Sequence, residues 1–307
     1  MRSLPKNLAL TLVLLASVLF PVTTSHASKG GVEKPLNTFT VGITFKSGGI
    51  DFVCSGALIS PTILVTAGHC VYDEKGNLAT DYYFTKPGVA LDAPINPNSK
   101  PVKVLKTYLK PGFAAVKPGM PDDIAFIQLD SPLATSGFIR VASSSEVANL
   151  SNQAIAKGYG FGAVYETGAP YSVYAREYRI LWNPSLDSNP TTINLNSSEA
   201  TACNGDSGGP ITTVLPTGEE ILLAVMSGAA RVVNDCGTIG PDGQYAMKAT
   251  VVDTYISLIK SIVAAPSPSP VKRYKITCVK GKIKKYVTGT NPKCPIGYKL
   301  ITKIRIK

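Results

Sequence analysis

Histidine is almost missing from this chain of 307 residues: there are two, His26 and His69. A close Cys-x-x-Cys pair is missing as well, which argues against a zinc site of the usual cysteine and histidine ligands; neither a metal nor another cofactor is expected. Charged residues make up only 17% of the chain and apolar ones 44%, a balance that excludes a disordered protein. After Leu8–Phe20 there is no further long apolar run, and that one is too short for a comfortable membrane span. Acidic residues are absent from Val271 to Lys307, a stretch that holds twelve Lys or Arg. The formal net charge of +11 therefore belongs to the tail, because the rest of the chain carries 19 basic and 20 acidic residues. A basic protein first suggests nucleic acid, but a near-neutral body removes that expectation. The tail suits an anionic surface such as an acidic cell-envelope polymer, or it serves only as a solvated, solubilising segment.

The N-terminus has the layout of a signal peptide. Arg2 and Lys6 precede the apolar run, and Ser25-His26-Ala27 supplies the small residues that a signal peptidase reads. Residues 1–27 are expected to be removed, giving a secreted protein, with cell-surface association a further expectation. The six cysteines of an exported chain should pair. Six allow 15 connectivities, and sequence alone does not choose among them. Proximity favours Cys54 with Cys70, Cys203 with Cys236, and Cys278 with Cys294.

From about Thr38 to Val252, short apolar runs alternate with Gly, Pro, Asn and Ser. Phe39–Phe45, Ala57–Ile59, Ile63–Thr66, Val102–Leu105, Ile124–Leu129, Ala154–Ala156 and Ile221–Val225 have the length of buried strands, and their spacing predicts an all-β sandwich or barrel. Asp253 to Ala264 differs, with Tyr255, Ile256, Ile259, Ile262 and Val263 at helical spacing and Asp253 placed as the N-cap. Residues 265–270 alternate Pro with Ala or Ser and read as a stiff, extended linker. Residues 271–307 form a separate small module. Two strands, Tyr274–Val279 and Ile283–Thr288, are expected there, held by a Cys278–Cys294 bridge because so small a unit buries little surface.

His26 leaves with the signal peptide, so His69 is the sole imidazole of the mature chain. It stands in Thr66-Ala67-Gly68-His69-Cys70, at the end of an apolar strand. The stretch Cys203-Asn204-Gly205-Asp206-Ser207-Gly208-Gly209-Pro210 has the glycines of a tight turn. Such a turn can aim the N–H groups of Gly205 and Ser207 at one point, where they would stabilise an oxyanion formed by attack of Ser207 on a carbonyl. As a plain surface loop it would explain its composition, but not its coincidence with the other motifs. Asp122-Asp123 precedes the apolar run Ile124-Ala125-Phe126-Ile127. A carboxylate in that position is partly buried and needs a partner. Asp123 bonded to His69 would fix the tautomer that leaves the other nitrogen free for the serine proton; Asp122 is expected in the solvated turn.

The three motifs, in the order His, Asp, Ser, resemble those of the chymotrypsin/trypsin family of serine proteases. Gly205-Asp206-Ser207-Gly208-Gly209-Pro210 matches the family's serine motif residue for residue, and Asp123-Ile124-Ala125 resembles its aspartate motif. Cys54-Ser55-Gly56 leading to Thr66-Ala67-Gly68-His69-Cys70 resembles its first disulfide loop, and Gly158-Tyr159-Gly160 its Gly-Trp-Gly. The match covers about Thr38 to Ala264, within an expected protease domain of residues 28–264. It implies two six-stranded antiparallel Greek-key barrels with a C-terminal helix, the site in the cleft between them, and peptide-bond hydrolysis through an acyl-enzyme on Ser207. It also implies a primary specificity pocket with Thr201 at its base and Gly228 and Gly243 at its walls. Thr201 carries no charge, so cleavage after apolar or medium-sized residues is expected. A buried Arg or Lys of the substrate would lack a partner, at a cost on the order of several kcal/mol.

Two departures bear on mechanism. The family's mature chain usually opens with an apolar residue whose ammonium group pairs with the aspartate beside the nucleophile, here Asp206. Cleavage after Ala27 would leave Ser28-Lys29-Gly30 instead, so Asp206 must find another partner and activity is expected without a further cut. The Ser-Trp-Gly wall is replaced by roughly Met226-Ser227-Gly228. Two other classes compete with an active protease: a catalytically silent homologue that only binds, and an adhesin whose working part is the tail. The filled triad favours the enzyme.

Overall fold

The computed structural model describes residues 31–34, 37–47, 49–72, 78–91, 103–109, 121–134, 137–163, 175–183, 191–230, 232–233, 236–264 and 273–306. The expected signal peptide, 1–27, and the linker, 265–270, lie outside these residues. After β1 (Val32–Glu33) come six strands: β2 (Thr40–Ser47), β3 (Ile50–Ser60), β4 (Ile63–Thr66), β5 (Thr80–Phe84), β6 (Val104–Tyr108) and β7 (Ala125–Leu129). They form one antiparallel sheet in the order β5-β2-β3-β4-β7-β6. Ile43, Leu58, Leu64 and Ile127 fill its interior.

The next segment holds β8 (Arg140–Val141), α1 (Ser144–Ala148), β9 (Ile155–Gly160), β10 (Arg176–Asn183), β11 (Thr192–Ser197), β12 (Pro210–Val214), β13 (Glu220–Ala229), β14 (Val232–Val233), β15 (Cys236–Gly237) and β16 (Tyr245–Val251). The run β10-β11-β16-β13-β12-β9 returns to its start, because β10 also pairs with β9, and a six-stranded barrel closes. Tyr178, Ile180 and Trp182 alternate along β10 and point into this barrel beside Leu195, Leu223 and Met247. The expected all-β architecture of two six-stranded units is the one found. The second is closed, whereas β5 and β6, at the two ends of the first sheet, do not pair among the described residues.

A third apolar cluster joins the two units. Phe39, Val65 and Phe126 from the first meet Tyr159, Leu222 and Val225 from the second. Phe39 and Tyr159 touch edge to face at 5.4 Å. The C-terminal helix α2 (Ile256–Ala264) adds Ile262 to the same cluster. A 3-10 turn, Asp253–Tyr255, precedes it. Asp253, expected as the N-cap, stands inside that turn, because Val252 before it already has helical backbone angles.

Residues 273–306 form a three-stranded sheet of β17 (Arg273–Lys280), β18 (Ile283–Gly289) and β19 (Lys299–Ile306), in the order β18-β17-β19. The third strand was not among those expected. It is an edge strand whose residues 299–305 are all exposed, so it lacks the core pattern that reveals a strand in sequence. All three cysteine pairs favoured by proximity are bonded.

Candidate active site

β4 ends at Thr66, and the chain turns at once into a short 3-10 turn, Gly68–Cys70. The Cys54–Cys70 disulfide ties that turn to β3. This local geometry sets His69 at the rim of the first sheet with its side chain 14% exposed. Asp123 arrives from the neighbouring strand. Asp122 has φ near +60°, and the tight turn it makes lets Ile124 N–H bond back to Asp122 O at 2.7 Å. Asp123 is thereby fully buried two residues before β7.

The Asp123 carboxylate is well satisfied. Oδ1 accepts the His69 backbone N–H at 2.9 Å, and Oδ2 lies 2.8 Å from His69 Nδ1. The Ser227 hydroxyl donates to the same Oδ2. A carboxylate only accepts, so the Nδ1 proton belongs to the imidazole, and in the neutral ring it is Nε2 that keeps the lone pair. Asp122, expected in solvent, instead accepts from Tyr255 Oη at 2.7 Å. Burial, and then Asp122, push the Tyr255 hydroxyl well up, so it stays a donor. Sequence gave no sign of this link, because Tyr255 lies 133 residues away.

Ser207 lies in a turn carried by the second barrel but seated on the first. Ser55 N–H on β3 donates to Ser207 O at 2.8 Å, and Ser55 Oγ donates to Gly205 O at 2.7 Å. Gly208 N–H reaches Met226 O on β13 at 2.7 Å. The sulfur of Cys70, next to His69, lies 3.7 Å from Ser207 O. Gly208 has φ near +79°, and a Cβ there would fall 2.0 Å from Thr66 Oγ1 and 2.4 Å from Ser55 O. Only glycine permits both the angle and the approach.

Asp206 points the other way, into the second barrel, and is fully buried. Its Oδ1 accepts from Gly162 N–H at 2.9 Å and its Oδ2 from Cys203 N–H at 2.8 Å. A Cβ at Gly162 would lie 2.4 Å from this carboxylate. Arg176 and Tyr178, two apart on β10, lie within the field of Asp206. Arg176 is only 5% exposed. Burial pushes its guanidinium down, and the carboxylates of Glu33 and Asp206 oppose that shift. Arg176 also donates to Gly31 O, with Nη1 3.9 Å from Glu33 Oε1. Burial, then Asp206, push the Tyr178 hydroxyl well up.

Residues 28–250 match the trypsin family model. The chain belongs to the trypsin family. It is similar to the proclotting enzyme of Tachypleus tridentatus, 26% identical over 75% of this chain and 66% of that enzyme. A modular serine protease of Drosophila melanogaster is 28% identical over 54% of this chain and 28% of its own length. Granzyme M of Homo sapiens is 26% identical over 68% of this chain and 79% of its own. The match thus spans just under two thirds of the first relative and about a quarter of the second.

The resemblance assigned Thr201, Gly228 and Gly243 to a substrate pocket. Thr201 is fully buried, with Oγ1 3.5 Å from Ala202 O. Gly237, which sequence reasoning missed, stands against it: a Cβ there would come within 2.1 Å of Thr201 Oγ1. The Cys203–Cys236 bond beside it holds the two segments together. Gly228 lies on β13 next to Ser227, at a register shift opposite Lys248. Gly243 lies in an exposed turn closed by its own N–H on Gly240 O at 3.0 Å, and among the described residues nothing beyond its two chain neighbours stands within 4 Å of where its side chain would begin. Two other residues went unforeseen. Ser227 had a signal, its place in Met226-Ser227-Gly228, whereas Arg176 had none. Cys54, His69 and Cys70 bring their sulfur and nitrogen atoms within 4.8 Å of one another, but the two sulfurs are bonded to each other and offer no thiolate to a metal.

Proposed function

We propose that this protein is an exported serine endopeptidase. Ser207 is the nucleophile, His69 the general base and Asp123 the residue that orients the base. His69 Nε2 takes the Ser207 hydroxyl proton as Oγ bonds to the substrate carbonyl carbon. The N–H groups of Gly205 and Ser207 receive the negative oxygen. The C–N bond then breaks, and the imidazolium returns its proton to the departing amine. Water, activated by the same imidazole, releases the acyl group from Ser207. The observation that carries this reading is the Asp123 carboxylate, bonded to His69 by both oxygens and to Ser227, in a molecule whose serine turn is bound to the strand tied to His69.

Cleavage after apolar or medium-sized residues is the preference we infer, from the buried, uncharged Thr201 and the side-chain-free Gly237 beside it. Gly228 and Gly243 remain the proposed walls. Activity without a further N-terminal cut is supported by Asp206, whose carboxylate is held by two backbone N–H groups and faces the buried charge of Arg176. Residues 271–307 are proposed to hold the enzyme at an anionic surface, acidic cell-envelope polymer being the partner that charge alone suggests.

The test is hydrolysis of a mixed peptide library by wild type, Ser207→Ala and His69→Ala. Each variant should fold normally and lose turnover on the order of a millionfold, as single removals do in another serine protease. Wild-type turnover by folded Ser207→Ala would refute the reading, and cleavage mainly after Arg or Lys would refute the pocket assignment.

A further inference from the structure

Residues 273–306 expose apolar side chains that a purely electrostatic tether does not need. Ile296 is fully exposed, Ile283 is 58% exposed and Leu300 55%. All three lie at one end of the sheet. Ile283 opens β18 directly across from Lys280, and Leu300 on β19 lies across from Cys278, so by strand alternation both side chains are on one face. Ile296 sits in the turn closed by Tyr298 N–H on Pro295 O at 3.0 Å. A Cβ at Gly297 would lie 3.4 Å from Lys280 Nζ, which sets this turn beside the one joining β17 to β18. The Cys278–Cys294 bond anchors the turn to the central strand.

Lysines surround this tip. Lys280 and Lys282 flank the β17–β18 turn, Lys284 and Lys285 follow on β18, and Lys299 lies across from Val279; all five are exposed. No Asp or Glu occurs anywhere in the segment. Single exposed apolar residues are ordinary, but a group of them at a protruding turn marks a binding surface.

We propose that this tip docks onto a lipid bilayer with anionic headgroups. Ile283, Ile296 and Leu300 enter the boundary between headgroups and acyl chains, and the lysine ammonium groups stay level with the phosphates. The proposal rests on the reading of residues 271–307 as a tether to an anionic surface, and it names that surface. An acidic polymer would use the lysines and leave the apolar residues unexplained, whereas a bilayer uses both. Nucleic acid is disfavoured by the rings: Lys303, Lys275 and Lys285 lie 4.4 to 5.2 Å over Tyr274, Tyr286 and Tyr298. Every tyrosine of the segment thus has an ammonium group over one ring face, which is closed to a stacking base. Each lysine near such a membrane contributes about fivefold to binding, and each apolar side chain buried roughly tenfold.

The experiment is co-sedimentation of the full chain with vesicles of phosphatidylcholine alone, and of equal parts phosphatidylcholine and phosphatidylglycerol, at low and high salt. Retention on immobilised polygalacturonate runs in parallel. Wild type should bind the mixed vesicles, not the neutral ones, and release at high salt. Ile283→Ser, Ile296→Ser and Leu300→Ser together should weaken vesicle binding at least a hundredfold and leave peptide hydrolysis unchanged. Equal vesicle binding by that triple variant overturns the tip. Retention on polygalacturonate without vesicle binding overturns the bilayer but keeps the tether. Binding to neither overturns both.

Discussion

Ser227 shows what one hydroxyl does at this site. Asp123 is fully buried, and a buried carboxylate is costly unless its lone pairs are met. His69 contributes two donors and Ser227 a third. A hydrogen bond to a charged group is worth about 1.5–3 kcal/mol. Ser227→Ala should therefore slow turnover by roughly one to two orders of magnitude, with little change in KM, because the hydroxyl touches the orienting carboxylate and not the substrate. A change confined to KM in steady-state kinetics would show that Ser227 acts on binding instead. Gly162→Ala is a second residue-scale case. Its methyl group would start 2.4 Å from the Asp206 carboxylate. Overpacking of this kind costs about 1–3 kcal/mol, and the shift should pass directly to the neighbouring Ser207, so loss of active-site titre should exceed loss of stability. The residues proposed as the triad stood out in sequence because each sits in a short motif that suggests its chemistry. Arg176 was not, since its importance comes from a partner thirty residues away and no local pattern distinguishes it.

At the scale of elements, β1 and α1 show how exposed pieces are pinned. β1 pairs with the first residues of β10, Val32 with Glu177 and Glu33 with Arg176. Arg176 binds Gly31 O on one side and lies in the field of Asp206 on the other. The N-terminal strand is therefore part of the support of the serine turn. Removing the charge of Arg176 takes away the cation in whose field the buried Asp206 lies. Arg176→Met should lower both thermal stability and active-site titre, and Arg176→Lys should recover part of each. A full titre in the Met variant would show that the Gly162 and Cys203 N–H groups suffice. Helix α1 opens with a capping box in which Ser143 and Glu146 satisfy each other's backbone N–H groups. Arg140 bonds Glu146 through two nitrogens at 2.9 Å. The Arg140 hydrogen bond, followed by those from Ser143, holds the Glu146 carboxyl down to about 2. A carboxyl lowered on folding stabilises the fold above its ordinary range and loses that contribution as pH falls towards its folded value. The difference in melting temperature between wild type and Glu146→Gln should thus be constant at neutral pH and vanish in acid. A difference that grows in acid would reverse the assignment.

For the whole molecule, the decisive arrangement is that neither six-stranded unit holds the whole of the proposed site. His69 and Asp123 belong to the first unit, Ser207 and Ser227 to the second. The shared apolar cluster helps to fix one half against the other, beside the bonds from Ser55 to the serine turn and from Ser227 to Asp123, and β7 shows why sequence did not reveal that cluster. Every residue of β7 is buried, so the strand shows no alternation of apolar and polar positions. Ala125, Ile127 and Leu129 face the interior of the first unit, while Ile124 and Phe126 face the joint cluster. A run buried on both faces looks the same in sequence whether its second face meets a helix, another sheet or the other half of an active site. The pairing of two barrels was legible only through resemblance, and the residues that join them were not legible at all. Phe126 is central to the joint, 1% exposed and in ring contact with Tyr255 at 6.3 Å. Truncating a buried phenylalanine costs about 3–5 kcal/mol, which in a domain of this size lowers the melting temperature by roughly 10 °C. Phe126→Ala should do this, and it should also weaken turnover below the melting range, because the cavity lies between the halves that carry His69 and Ser207. Ile180→Ala, inside the second barrel alone, is the matched control: it should cost comparable stability and spare turnover. Equal turnover in the two variants, measured well below both transitions, would mean that the joint holds the fold together without setting the geometry of the site.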